Sequence, residues 1–193
     1  MPWKKSFDEQ KAIENAMLVF WEKGYEATSI SNLTENIGIN RGSLYNAFGG
    51  KRQLFIQSLQ KYDLEIRKAT LAELESLDNP TLAFKSLFDL LVQQAHDDTQ
   101  KKGCFLVNTA LEFKYHDSHI QSIVTQGFME FEVFFRRGIE VSQTRREMPS
   151  KLDSHGTAKA LLSLVIAIRV LGRGVYDESA LRAIADQARL LTT

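Results

Sequence analysis

A chain of 193 residues with 24 lysines and arginines against 24 aspartates and glutamates has no net charge at neutral pH, which excludes charge alone as the means of holding a polyanion. Its single cysteine excludes an internal disulfide framework and suits a reducing cytoplasm. The opening MPWKKSFDEQ is charged with no apolar core after it, and the longest apolar run, 160–168, is about half of the ~20 residues that span a membrane; a cytoplasmic protein without membrane contact is expected.

Ser6 with Glu9 predicts a capping box opening a first helix, on which Ile13, Met17 and Phe20 face inward until Gly24 ends it. The stretch TSISNLTENIGINRGSLYNAFGGK, from Thr28 to Lys51, is the most informative of the chain. Ile30, Leu33 and Ile37 form one apolar helical stripe, Gly38 frees the backbone for a tight turn, and Ile39 plugs the corner. Asn40 is a preferred cap, so a new helix begins at Arg41, with Leu44 and Phe48 turned inward. Arg41, Gly42, Ser43, Tyr45 and Asn46 are left facing outward. The spacing predicts a helix-turn-helix over about 29–48, whose second helix enters the major groove. Arg41 can fork onto a guanine or a phosphate, Asn46 can pair both ways with an adenine, and Ser43 is permissive. Gly42 allows close approach to the groove edge, while Thr28, Tyr45 and Lys51 suit phosphate oxygens.

From about Ser6 to Arg67, a third of the chain, these residues resemble the DNA-binding domain of the TetR family of bacterial transcriptional regulators. The match is carried by Gly24-Tyr25, Thr28-Ser29-Ile30, Gly38-Ile39, Arg41-Gly42-Ser43-Leu44-Tyr45, Phe48 and Lys51. Two departures are Thr34, where the family usually has alanine, and Asn40, where it often has serine or threonine. The resemblance implies an all-α protein: a three-helix helix-turn-helix head over 6–66 and a helical bundle over 67–193 for effector binding and dimerisation. Residues 1–62 hold eight Lys/Arg against six Asp/Glu, so affinity for a double-stranded operator has to lean on specific contacts and dimeric avidity.

Beyond the head, a fourth helix is predicted from Lys51 to about Leu77, and Asp78-Asn79-Pro80 stops and restarts the chain into a helix over 81–95. Further helices are expected over 104–114, 119–143, 154–172 and 178–191. The run 160–168 is apolar on all sides and must be covered all round, which predicts a homodimer through the helices near 154–172 and 178–191, as in TetR-like proteins. Phe128, Phe131, Phe134 and Phe135 can wall an apolar effector pocket or serve as ordinary core. Cys104, Asn108 and Glu112 recur every four residues and are expected on one helical ridge, in a stretch similar to Gly-Cys segments of family branches that respond to electrophiles or oxidants. Cys104 follows Lys101 and Lys102 and is a candidate sensor thiol, against the alternative of a packed one. His116 and His119 offer at most an incomplete metal site, and Gly172-Arg173-Gly174 is not a nucleotide loop. No cofactor and no metal are expected. The expected function is a ligand-released homodimeric repressor; an architectural DNA-binding protein and a cysteine-dependent enzyme with an incidental helical head are the alternatives.

Overall fold

A computed structural model describes residues 7–192, and among them every regular element is helical. Helix α1 (Glu9–Lys23) is capped by Asp8, whose carboxylate accepts from the Gln10 and Lys11 amides. This corrects the predicted capping box: Ser6 lies outside the described residues, and a carboxylate at position 8 answers two orphan amides while complementing the positive helix end. Helices α2 (Ile30–Ile37) and α3 (Arg41–Phe48) follow, joined through Gly38 in the left-handed conformation at φ 78°. The backbone then stays helical from α4 (Lys51–Tyr62) through a π-helical segment (Asp63–Lys68) into α5 (Ala69–Glu75). The predicted fourth helix therefore ends at Glu75 and carries a π turn in its middle.

Asn79 caps α6 (Pro80–Asp97), with Pro80 in the first turn where its missing amide costs nothing. Helix α7 (Phe105–Leu111) is shorter than expected, with Cys104 as its N-cap and Glu112 as its C-cap, and a 3-10 turn (Phe113–Tyr115) follows. The body is completed by α8 (Ser118–Thr144), α9 (Ser154–Leu171) and α10 (Glu178–Leu190). By length and composition α9 is apolar enough to cross a membrane, with mean hydropathy 1.3 over its 18 residues, more than the run 160–168 implied; only 28% of it is buried. Its buried stripe, Ala158, Leu161, Val165 and Ile168, packs into the body core beside α8 and α10.

The described residues form two apolar cores, and these do not divide at residue 66. One gathers Phe20, Leu33, Leu44, Leu54 and Leu59 of the head and takes in Phe105 and Leu106 of α7 with Ile120 and Val124 of α8. Phe55 is the pivot: it meets Phe20 edge-on at 5.0 Å, Phe105 edge-on at 5.5 Å, and stacks on His116 at 5.6 Å. Around this seam the Trp21 indole donates to the Gly103 carbonyl at 3.2 Å, and Arg52 of α4 pairs with Asp117, the cap of α8, at 2.6 Å. Gly103 is required there: its φ is 68°, and a Cβ would lie 2.8 Å from the Arg173 side chain and 3.1 Å from the Arg169 carbonyl. The second core joins α6, α8, α9 and α10 around Leu87, Leu91, Phe135, Ile139, Leu161 and Leu181.

His116 gives the seam a pH dependence. Its ring is buried against Phe55 and Tyr25, its Nε2 has no hydrogen-bond partner, and burial pushes its pKa below the ordinary value despite the nearby carboxylates of Glu112, Asp117 and Glu26. The unfolded chain therefore takes up the proton first as pH falls. Stability should be full above the ordinary histidine value of about 6.5 and decline as pH drops through the lowered folded value. Thermal unfolding between about pH 7 and pH 5 should show this slope in the wild type and a shallower one in His116→Phe; equal slopes would remove His116 from the account.

Candidate functional site

Helix α3, the second helix of the helix-turn-helix, presents the face its sequence predicts. Leu44 and Phe48 are buried, whereas Arg41, Gly42, Tyr45 and Asn46 are exposed and Ser43 is half-buried. Asn40 Oδ1 accepts from the Ser43 amide at 2.8 Å, so this side chain is spent largely on starting the helix. Arg41 lies 5.8 Å from the centre of the Tyr45 ring, which draws the guanidinium and the phenol together along one edge. Lys51, in the first turn of α4, holds its Nζ 4.3 Å from the Tyr25 ring and 3.5 Å from the Glu26 carbonyl, beside the entrance to α2. The supporting helix α2 is opened by a reciprocal cap between Ser29 and Asn32. Thr34, the departure at the helix crossing, donates its hydroxyl to the Ser31 carbonyl.

Thr28 is a correction. It is 1% exposed, and its hydroxyl donates to the Gly24 carbonyl at 2.6 Å. A hydroxyl has one proton, and a phosphate oxygen can only accept, so this side chain serves the α1–α2 turn rather than a phosphate.

In the body, the expected ridge of Cys104, Asn108 and Glu112 does not face one space. Helix α7 has only seven residues, and the outer two positions sit at its caps, outside helical geometry. Asn108 is occupied twice, donating to the Lys102 carbonyl at 2.7 Å and accepting from Arg173 at 3.2 Å. Asn108 and Glu112 border a small cleft against Phe20 and Tyr25 of the head. Cys104 turns the other way, into a cavity of about 30 Å³ between α4, α6, α7, α8 and α9 that Phe128 and Phe131 also wall. Phe135 does not reach it: fully buried, it packs on Phe84, Phe88 and Phe134 in the second core, because α8 meets α6 at that level. As for metals, among the described residues no group of three or more potential ligands is assembled.

Residues outside the sequence candidates complete the cavity. Tyr62 donates its hydroxyl to Cys104 Sγ at 3.2 Å. Burial, with the neighbouring sulfur, pushes the Tyr62 phenol well above its ordinary range, so it keeps its proton and remains a donor. Arg67 is buried in the π segment; burial works against its charge, but hydrogen bonds to Asp63 and Glu130 outweigh it and keep the guanidinium protonated. Arg169 of α9 donates to Gln94 at 2.6 Å, and Tyr62, Ile66, Gln94 and Arg169 separate the cavity from an outer cleft of about 380 Å³ edged by Trp21 and Asp98. These residues come from helices far apart in sequence, so no local motif announces them.

Comparison with known proteins decides the family. Residues 12–57 match the family described as bacterial regulatory proteins, tetR family, and residues 83–188 match the tetracyclin repressor-like C-terminal domain. The chain belongs to the TetR family. It is 32% identical over 145 residues to the uncharacterized HTH-type transcriptional regulator YezE of Bacillus subtilis, covering 75% of this chain and 74% of that one. It is 27% identical over 172 residues to the HTH-type transcriptional repressor ComR of Escherichia coli, covering 88% and 81%. The fold is that of a cysteine mutant of the TetR family regulator CifR complexed with 26-base-pair double-strand operator DNA, with TM-score 0.86 at 23% identity over 99% of this chain and 100% of that one.

This TetR-family chain is thus a DNA-binding transcriptional regulator, and the division of labour in its head is testable. Asn40→Ala should cost about 1 kcal/mol of stability through the lost cap. Thr28→Val should leave the affinity of the folded protein for its operator unchanged, whereas a loss of about 0.5–1.5 kcal/mol in binding, the worth of a neutral hydrogen bond, would return Thr28 to the phosphate contacts.

Proposed function

We propose that this regulator is a homodimeric repressor that leaves a palindromic operator when a small molecule occupies or modifies its body. The observation that carries the DNA reading is the outward face of α3, where Arg41, Tyr45 and Asn46 stand exposed around Gly42 while Leu44 and Phe48 anchor the helix. In this reading residues 6–66 are the DNA-binding unit and 67–193 the effector and dimerisation unit, and the protein works in the cytoplasm. Arg41, Ser43 and Asn46 contact base edges, and Tyr45 and Lys51 hold phosphates. ComR's description as a repressor supports the direction of control, and the CifR complex supports operator DNA as the partner.

Dimerisation is supported by α9, an 18-residue apolar helix of which only 28% is buried in one chain. Leu164, Ala167 and Leu171 form a partly covered stripe beside its core face, and Ile184 of α10 is partly covered as well. Pairing α9 and α10 with their copies buries these side chains in a four-helix bundle. It also sets two recognition helices about one DNA turn, ~34–36 Å, apart.

Release requires an effector that binds the operator-incompetent state better than the competent one, by the same factor that it weakens DNA binding. A role for Cys104 in release is supported by the hydrogen bond that its sulfur accepts from Tyr62 of α4, the helix that continues from the head into the body. An apolar molecule in the cavity, or an electrophile on the thiol, displaces Tyr62 and with it the seam.

Sedimentation of the purified chain should give a dimer, and Ala167→Arg a monomer with greatly weakened operator binding. With DNA selected from a random pool, Asn46→Ala should cost about 1–3 kcal/mol and relax preference at one base pair per half-site. A monomeric wild type, or Asn46→Ala binding with unchanged preference, would contradict the proposal.

A further inference from the structure

His96, His119 and His155 are exposed, whereas His116 is 7% exposed and lies where the head meets the body. Its ring stacks on Phe55 of α4 at 5.6 Å, with 16° between the planes, and meets Tyr25 between α1 and α2 at 5.7 Å. Its Nε2 is buried without a hydrogen-bond partner. The next residue, Asp117, caps α8 and pairs with Arg52 of α4 at 2.6 Å. Two adjacent residues of the body thus hold the first turns of α4, the helix that follows the recognition helix.

A neutral ring suits this place and a protonated one does not, because a charge between aromatic faces loses its hydration. The charged groups around it are largely committed elsewhere. Between α1 and α2 stand Tyr25, whose phenol burial pushes up so that it keeps its proton, and Glu26, which is exposed. From α4 come Lys51, its Nζ 4.3 Å from the centre of the Tyr25 ring, and Arg52. From α8 comes Asp117, which accepts from Arg52 and from the His119 and Ile120 amides. Glu112, at the end of α7, is the exception: its Oε2 stands 3.8 Å from Nε2, within reach but too far for a hydrogen bond. Burial outweighs the pull of these carboxylates and holds the His116 pKa below its ordinary value, so the stacked ring is neutral at neutral pH.

We propose that His116 makes operator binding sensitive to protons: a protonated ring leaves the stack on Phe55 and Tyr25 for Glu112 and releases the head from the arrangement that fits DNA. Closing the gap to a charge-assisted hydrogen bond takes a movement of about 1 Å. A cleft of about 30 Å³ bordered by Tyr25, Phe55 and Glu112 leaves room for a shift of that size. The movement reaches the head at two points. The ring withdraws from Phe55, and Glu112 stands at Gly24, its Oε1 3.4 Å from where a Cβ would lie, in the turn whose carbonyl receives the Thr28 hydroxyl. The proton is then an input separate from any small molecule in the body, and it binds the operator-incompetent state better by the same factor that it weakens DNA binding. Since the competent state has the lowered pKa, affinity is full above the ordinary histidine value and is lost as pH falls. This input requires the operator binding proposed above, but no effector site.

The test follows binding of pool-selected DNA by the full chain between about pH 7.5 and about pH 5.5, with circular dichroism of the helices at each pH. A histidine released to its ordinary value of about 6.5 is about nine-tenths protonated at about pH 5.5, so wild-type affinity should fall by up to about tenfold per subunit. His116→Phe keeps an aromatic ring in the stack and every exposed histidine, and should hold its affinity across the range. Glu112→Gln withdraws the acceptor carboxylate and should move the fall to lower pH; it carries the test if His116→Phe does not fold. Parallel profiles for wild type and His116→Phe, or an unmoved profile for Glu112→Gln, would overturn the proposal and leave the DNA reading intact. Helical signal lost in step with binding would also overturn it, because that is unfolding rather than switching. A wild type that selects no DNA even at about pH 7.5 would overturn both.

Discussion

The edge-to-face meeting of Phe55 and Phe105 is the contact on which the rest of the structure depends. Phe55 belongs to the helix that follows the recognition helix, and Phe105 to the first turn of α7, which begins at Cys104. Through this pair the head has no core of its own that stops at its border. Burying each ring contributes about 1.5–3 kcal/mol, and the aromatic geometry adds about 0.5–1.5 kcal/mol beyond area. The Arg52–Asp117 pair across the same seam is open to solvent, which screens its attraction. The apolar contacts hold head to body; the ion pair adds direction, and Arg52 keeps the Asp117 carboxyl down at about 2, so it is charged at any working pH.

In the proposed function, that arrangement would give an effector a physical route to the head without a long-range wire. Cys104, Tyr62 and Trp21 stand within one layer: the phenol donates to the thiol, and the indole packs edge-on against the phenol at 4.9 Å while donating to Gly103. A molecule that moves Tyr62 acts directly on α1 and α4. The π segment just beyond has the same logic, since π turns interrupt the regular ladder and recur at functional sites. Here it carries Arg67, buried between the two carboxylates and the cavity. Because α4, the π segment and α5 follow one another without a break, one continuous helical stretch both lines the cavity and belongs to the head.

Much of this was legible in the residues. The helix-turn-helix was, because a glycine at φ 78°, a capping asparagine and two short apolar stripes each constrain the backbone locally. So was the restart at Asn79-Pro80, for the same reason. The π turn was not, since Leu59, Tyr62 and Ile66 keep a helical rhythm that does not reveal a shifted hydrogen-bond ladder. Thr28 carried a hydroxyl of the right type, but its proton goes to a carbonyl four residues back, which only the fold of the α1–α2 turn decides. On α7 the four-residue spacing was real, yet the helix was too short for spacing to become a ridge. The cavity lay furthest from view: Arg67 and Arg169 are 102 residues apart, and only packing brings them to one space.

The central claim is that head and seam behave as one cooperative unit, and native-state amide hydrogen exchange against denaturant tests it most directly. The account predicts that the slowest amides of α1, α4 and α7 open together, with a common free energy and denaturant dependence. If α1 and α4 instead open well below α7, as a subunit of their own, the head is an independent domain and the seam does not couple it to the body.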